Sequence, residues 1–201
     1  GHDRVYDHMF LDGLEDAYEE GRAMGSFAQA TANDYQLTRE GMDAYAIESL
    51  SRAKAAIDCG GFADEIVPVT IKSRAGETVV DTDEAPGRGR PDKIPQLKPA
   101  FDKEGTITAA TSSSISDGAA AVVLTRESIA REKGAEPVAR IVATAAHAQA
   151  PAEFTIAPIG AIHKVLDKAG WSVSDVDLFE VNEAFACVAM FAMKDLGIGH
   201  D

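Results

Sequence analysis

The residues most able to do chemistry stand in two short polar segments, of which the first is residues 181–186, VNEAFA. Asn182 follows a predicted strand and precedes a predicted helix. Ligands of open α/β sheets gather at the carboxyl ends of strands, so this position can belong to a site. An asparagine there can cap the helix, which the spacing alone favours, or its amide can hold a water or polarise a carbonyl in an oxyanion site.

The second polar segment is residues 108–118, TAATSSSISDG, which precedes another predicted strand. Small hydroxyl residues and glycine let a backbone approach a ligand closely, but they also form ordinary turns. The chain has no Gly-x-Ser-x-Gly elbow and neither glycine-rich phosphate fingerprint. A serine nucleophile therefore has little support from the sequence.

The cysteines and histidines give little sign of a reacting group. A nucleophilic cysteine needs a pKa lowered by a helix N-terminus or a nearby cation. Cys59 falls at the C-terminal end of a predicted helix, and Cys187 falls on a helix face expected to be packed. None of the five histidines has a spacing suited to a metal, and we predict no metal site. His163 is expected at the surface, and His147 as a hydrogen-bonded structural residue.

Residues 86–103 form a proline-rich loop with a local positive charge. The loop holds four of the eight prolines, and its five basic side chains against two acidic ones give an excess of +3. Proline stiffens such a connection. Taken alone, the loop is better explained as a solvated surface, but it also suits a basic lip for an anionic ligand such as a nucleotide phosphate.

Helices and strands must position these residues. The first third predicts helices and a hairpin, and the second half alternates strands with helices, which is typical of an α/β layered architecture. Thr38 is the expected N-cap of the longest helix, which Gly60 ends. The predicted helices cover residues 26–34, 38–59, 126–133, 158–169 and 183–196; the hairpin covers 66–80, and the further strands cover 119–125, 138–145 and 176–180.

Composition excludes several classes of protein. The 201 residues carry a net charge of −14, which argues against general binding to nucleic acid or to an anionic membrane. No stretch approaches the roughly 20 apolar residues of a membrane-spanning helix. Two cysteines cannot make a disulfide framework or a cysteine-rich zinc site, and they favour a reducing, cytoplasmic location.

Five segments, in colinear order, resemble the thiolase family of acyl-CoA acyltransferases. They are residues 7–14, 24–28, 97–101, 105–121 and 182–186, of which the last two are the most specific. The resemblance implies an α/β thiolase-like fold that is partial in this chain. Residues 1–110 would form most of the loop domain, 111–134 the end of the N-terminal half, and 135–201 the first part of the C-terminal half.

The resemblance also implies roles for individual residues. Asn182 matches an asparagine that holds a water in an oxyanion site, and Ser113 matches a serine near the pantetheine of coenzyme A. Arg88 or Arg90 matches a nucleotide-contacting arginine, whereas Ala23 replaces a histidine of some members. The apolar positions that would line the pantetheine tunnel or acyl pocket are Leu14, Met24, Phe101, Ala109, Phe154, Ala184 and Phe185.

The implied reaction is that of an acetyl-CoA C-acetyltransferase in fatty acid metabolism, the reversible Claisen condensation or thiolysis of 3-ketoacyl-CoA. Coenzyme A thioesters would be substrates, no cofactor would be needed, and the protein would form a dimer or tetramer. The family's nucleophilic cysteine, activating histidine and acid/base cysteine match no position of this chain. We therefore expect the 201-residue chain to be inactive alone.

Three alternatives stay open at this point. The chain could be a non-catalytic acyl-CoA or coenzyme A binding module, or a truncated structural fragment. An unrelated α/β protein would be favoured if the Asn182 segment did not follow a strand. Because the second half has only its first strands, we also expect the chain to self-associate or to be poorly soluble.

Overall fold

Three helices fill the N-terminal part of the computed structural model, which describes residues 1–200. They are α1 (His8–Gly13), α2 (Met24–Asp34) and α3 (Arg39–Asp58). Thr38 caps α3 as predicted, since its hydroxyl oxygen accepts a hydrogen bond from the backbone N–H of Gly41 at 3.1 Å. The chain turns after the helix at Gly60, whose φ of 67° is one that glycine adopts without strain.

The predicted hairpin is present. Strands β1 (Val69–Ser73) and β2 (Gly76–Val80) are antiparallel, with Val69 opposite Val80. Almost all of its side chains are exposed, so the hairpin adds little to the core.

The short helix α4 (Glu84–Arg88) leads into the basic loop, which contains a 3-10 helix at Pro91–Gln96. The loop is tied to α3 by two side chains. The Arg39 guanidinium donates to the carbonyl oxygens of Ile94 at 3.1 Å and Leu97 at 2.8 Å. Lys54 Nζ donates to the carbonyl oxygen of Gly89 at 3.0 Å. These bonds hold the loop beside the helix.

The C-terminal half contains the helices α5 (Glu127–Glu132), α6 (Ala157–Ala169) and α7 (Ala186–Leu196), with 3-10 helices at Ala109–Thr111, Pro151–Ile156 and Val173–Asp175. As predicted, α6 and α7 end at Gly170 and Gly197, whose φ angles are 70° and 67°. The predicted start of the last helix at 183 is wrong, because Phe185 is its N-cap residue.

The strands predicted for residues 119–125, 138–145 and 176–180 are not formed within residues 1–200. Most of their apolar side chains are open to solvent: Val123 is 93% exposed and Val138 102% exposed, whereas Val176 and Phe179 are half-buried. A strand needs a neighbour to take up its backbone N–H and C=O groups, and the described residues provide none beside these segments. The expected layer of helices on a sheet is therefore absent from the described part of the chain.

The core lies where α2, α3 and α7 meet. Its largest fully buried apolar side chains include Phe27, Met42, Ile107, Cys187 and Phe191. This packing fixes the N-terminal end of α7 against α3, which positions the residues just before α7. Among the described residues, no helix is long and apolar enough to cross a membrane.

Candidate functional site

A groove of about 650 Å³ opens between α3, the basic loop and the two polar segments. Four of the predicted site residues line it: Arg88, Ala109, Ser113 and Asn182. The structure therefore brings together residues from both polar segments and from the basic loop.

Backbone pairing joins the two polar segments. The N–H of Ser113 donates to the carbonyl oxygen of Ala184 at 3.0 Å, and Ser112 forms an isolated antiparallel bridge with Phe185. Ser113 is thereby held beside the residues that follow Asn182. The sequence placed both segments near strand ends but gave no sign of this pairing.

Asn182 does not cap α7. The N-cap residue is Phe185, and α7 has no side-chain cap hydrogen bond. The capping interpretation, which spacing alone favoured, is therefore wrong. Asn182 is exposed and faces the groove, where its amide can meet a ligand.

Glu183 is held by two hydroxyl groups of α3. Tyr45 Oη donates to Glu183 Oε1 at 2.6 Å, and Ser49 Oγ donates to Oε2 at 2.9 Å. Burial and the Glu183 carboxylate both raise the pKa of Tyr45, so its phenol remains a protonated donor at neutral pH. Tyr45 and Ser49 stand one helical turn apart, which places them on the same face of α3.

Sequence reasoning missed this trio. The i, i+4 spacing of Tyr45 and Ser49 signals a shared helix face, but nothing in the sequence identifies a partner in the Asn182 segment.

Three aromatic rings, one of them from the Asn182 segment, form an apolar wall. The ring centroid of Phe185 lies 6.0 Å from that of Phe101 and 6.3 Å from that of Phe154, both in edge-on geometry. Such rings bury apolar area and suit a long neutral ligand arm. Ala184, beside Phe185, is half-buried against the core.

Two further predicted wall residues, Leu14 and Met24, lie at the start of α2, whose Gly25 approaches the Phe101 ring. Met24 opens the helix, and its N–H donates to the carbonyl oxygen of Leu14 at 2.8 Å. The next residue is Gly25, where a Cβ would overlap the ring of Phe101. The predicted site residues thus form one group at the groove, which is polar except for Ala109, and an apolar group beside it; the Ala184–Phe185 backbone joins the two groups.

The basic loop presents its charge to the groove. Arg88 and Arg90 line it together with Lys93. Arg88 pairs with Glu84 at 3.1 Å and Arg90 with Asp92 at 3.4 Å, both at the surface. Exposed pairs of this kind contribute only about 0–1 kcal/mol, so an anionic ligand can replace them at small cost.

Cys187 and two of the histidines have structural or surface surroundings rather than those of a reacting group. Burial raises the pKa of the Cys187 thiol to about 12, the opposite of what a nucleophile needs. The Nε2 atom of His147 lies 3.0 Å from Gln149 Oε1, and the Nε2 atom of His163 lies 2.6 Å from Asp195 Oδ2. These two histidines occupy the structural and surface positions expected from the sequence. Among residues 1–200, no cluster of three or more histidine, cysteine and acidic side chains could hold a metal ion.

Models of the thiolase family match nearly the whole chain. The model described as "Thiolase, N-terminal domain" matches residues 1–128, and "Thiolase, C-terminal domain" matches residues 135–201. The alternative of an unrelated α/β protein is therefore wrong. Residues 176–180 do not form a strand in the described chain. A strand before Asn182 is therefore not a suitable criterion for deciding whether the chain is related to the thiolases.

Curated relatives agree with this match. The chain is 48% identical over 195 residues to the acetyl-CoA acetyltransferase of Rhizobium meliloti (strain 1021), an alignment that covers 96% of this chain and 49% of the relative. It is 48% identical over 202 residues to the probable acetyl-CoA acetyltransferase of Dictyostelium discoideum, covering 100% of this chain and 49% of that protein. The chain spans about half the length of the curated relatives it matches.

Two solved structures match nearly the whole of this chain and about half of their own length. The Bacillus anthracis acetyl-CoA acetyltransferase superposes with a TM-score of 0.93 at 40% identity, over 99% of this chain and 50% of the other. A thiolase from Ascaris suum in complex with coenzyme A superposes with a TM-score of 0.90 at 39% identity, over 99% and 51%. The chain belongs to the thiolase family and has part of its α/β fold.

Proposed function

We propose that the chain forms part of an acetyl-CoA C-acetyltransferase, which catalyses the reversible Claisen condensation or thiolysis of 3-ketoacyl-CoA. The observation that carries the proposal is the groove, where Ser113 and Asn182 meet under the basic loop. The names of the relatives, acetyl-CoA acetyltransferases, support the reaction type.

The groove suits coenzyme A along its length. Arg88, Arg90 and Lys93 would bind the phosphates, since guanidinium and ammonium groups are the usual phosphate donors. Ser113 would contact the pantetheine arm. The apolar group around Phe185 would then line the pantetheine tunnel or the acyl pocket, as its residue types allow.

Asn182 would act where charge develops. Attack on a thioester carbonyl places negative charge on its oxygen, and a fixed amide or an amide-held water stabilises that charge. We propose this oxyanion role for Asn182. Acyl transfer also requires a nucleophile. Cys187, buried with a pKa of about 12, is unsuited to that role, and the exposed Cys59 is not among the residues that line the groove. The 201-residue chain alone would therefore bind substrate without turning it over.

Other parts of the proposal follow from the family resemblance. We keep the division into loop domain (1–110), end of the N-terminal half (111–134) and first part of the C-terminal half (135–201). We also propose a homo-oligomer, a dimer or tetramer, in the cytoplasm, with coenzyme A thioesters as substrates, no cofactor, and no nucleic acid or membrane partner.

Calorimetric titration of the 201-residue chain with coenzyme A tests the binding step. Replacing Arg88, Arg90 and Lys93 together by alanine should weaken binding about tenfold or more, because the phosphates lose three cationic partners. The matched control replaces Arg126, Arg131 and Lys133 around α5, which removes the same charge and one comparable exposed ion pair, Arg131–Glu127. The absence of heat at millimolar coenzyme A from a folded chain would refute the proposal.

A second candidate, a coenzyme A binding module without catalysis, is favoured by the surroundings of Cys187. It shares the groove and its ligand with the first candidate. A thiolysis assay with acetoacetyl-CoA separates the activity of the isolated chain from binding: we expect none, and turnover by the purified 201-residue chain would overturn that expectation. Failure to bind coenzyme A would leave only the truncated structural fragment.

A further inference from the structure

We infer that Tyr45, Ser49 and Glu183 form a clamp that positions Asn182 in the groove. The inference rests on the proposed function, since it concerns how the proposed oxyanion residue is held. We call this trio the Glu183 clamp.

The residues before α7 are not fixed by the helix itself and need other contacts to hold their position. Helix α7 has no side-chain cap, and Asn182 stands three residues before the N-cap residue Phe185, outside the helical hydrogen-bond pattern. Backbone pairing with Ser113 holds Ala184. The Glu183 carboxylate provides a second attachment, to α3, because each of its oxygens accepts a hydrogen bond from a different residue of that helix.

The clamp is built on a rigid support. Tyr45 is only 7% exposed, and its ring stacks on His200 with centroids 4.2 Å apart. It lies on the 20-residue helix α3, which is anchored in the core by Met42. A carboxylate held at both oxygens cannot rotate freely, and Asn182 is only one peptide bond away. The side chain of Asn182 therefore starts from a fixed backbone position, which electrostatic preorganisation requires.

Tyr45, Ser49 and Glu183 are thus positioning residues, acting through Asn182. A simple tie between α3 and α7 would stabilise the fold without affecting Asn182. The two roles differ in what happens to the Asn182 amide and to the recognition of a thioester carbonyl when the hydroxyl donors are removed.

The test compares the Tyr45→Phe, Ser49→Ala double variant with a control, Tyr35→Phe, Ser51→Ala, which makes the same chemical changes outside the clamp. In ¹⁵N NMR spectra of the full 201-residue chain, the side-chain amide signals of Asn182 should shift or broaden in the clamp variant only. Calorimetry should show the preference for acetyl-CoA over coenzyme A falling about threefold or more, with coenzyme A affinity itself changed less than about twofold. Glu183→Gln, which is isosteric, serves if the double variant does not fold.

Unchanged Asn182 signals in the clamp variant, or a shift equal to that of the control, would overturn the inference. So would a lower Tm with an unchanged preference between the two ligands, which is the result of a merely structural tie. If the unaltered chain binds neither ligand, the proposed function fails, and the Asn182 amide signals still decide whether the clamp positions that residue.

Discussion

The helical core and the segments at residues 119–125 and 138–145 are both apolar in sequence, but only the core buries its side chains. Helices α2, α3 and α7 satisfy their own backbone hydrogen bonds and need only pack their apolar faces, as Phe27, Met42 and Phe191 do. The two segments need neighbouring strands, and Val123 and Val138 stay exposed. Local sequence can therefore specify a helix by itself, whereas a strand depends on a partner.

The largest expected effect comes from truncating a side chain in the core. Phe191→Ala removes a ring that is 1% exposed and lies 4.7 Å from the ring of Tyr35, and we expect a loss of about 3–5 kcal/mol in the free energy of unfolding. Val123→Ala is the comparison, with an expected change within about 0.5 kcal/mol because its side chain is exposed. Urea denaturation measures both. Equal losses would show that the two regions are buried alike.

A smaller effect tests the contact between α2 and the aromatic wall. Gly25→Ala should destabilise the chain by about 1–3 kcal/mol, because the new Cβ would push the Phe101 ring away. Gly87→Ala is the matched control, since its Cβ would meet nothing within 4 Å. The same denaturation experiment compares them.

Phe101→Ala in the Gly25→Ala background adds a second check on that contact. It should recover part of the lost stability if the ring is the obstacle. No recovery, or an equal loss in the Gly87→Ala control, would contradict this account of the wall.

The difference between helices and strands also explains which features the sequence could predict. The Thr38 cap, the glycines that end α6 and α7, and the hairpin all depend on residues close in sequence, and all are present. The grouping of Ser113 with Asn182 was expected only from the family resemblance, since the Ser113–Ala184 pairing is long-range.

Two errors have the same origin. Local spacing favours a capping role for Asn182, but the N-cap residue is Phe185. The neighbouring Glu183 is held instead by long-range hydrogen bonds from Tyr45 and Ser49. The C-terminal strands were predicted from apolar patterns whose pairing partners are absent from the described residues. In both cases the missing information was the identity of a distant partner.

The smallest expected effect concerns the exposed segments themselves. Because Val123 and Val138 leave apolar surface in water, copies of the chain should associate through it, and light scattering should show species larger than a monomer. Replacing both by lysine should raise the concentration at which association begins about tenfold, equivalent to about 1.4 kcal/mol. Ser51→Lys with Thr82→Lys adds the same charge elsewhere and should leave association nearly unchanged. A clean monomer of the unaltered chain, or equal effects of the two lysine pairs, would show that these apolar segments do not cause association. The difference in burial between the core and these segments would then have no consequence in solution.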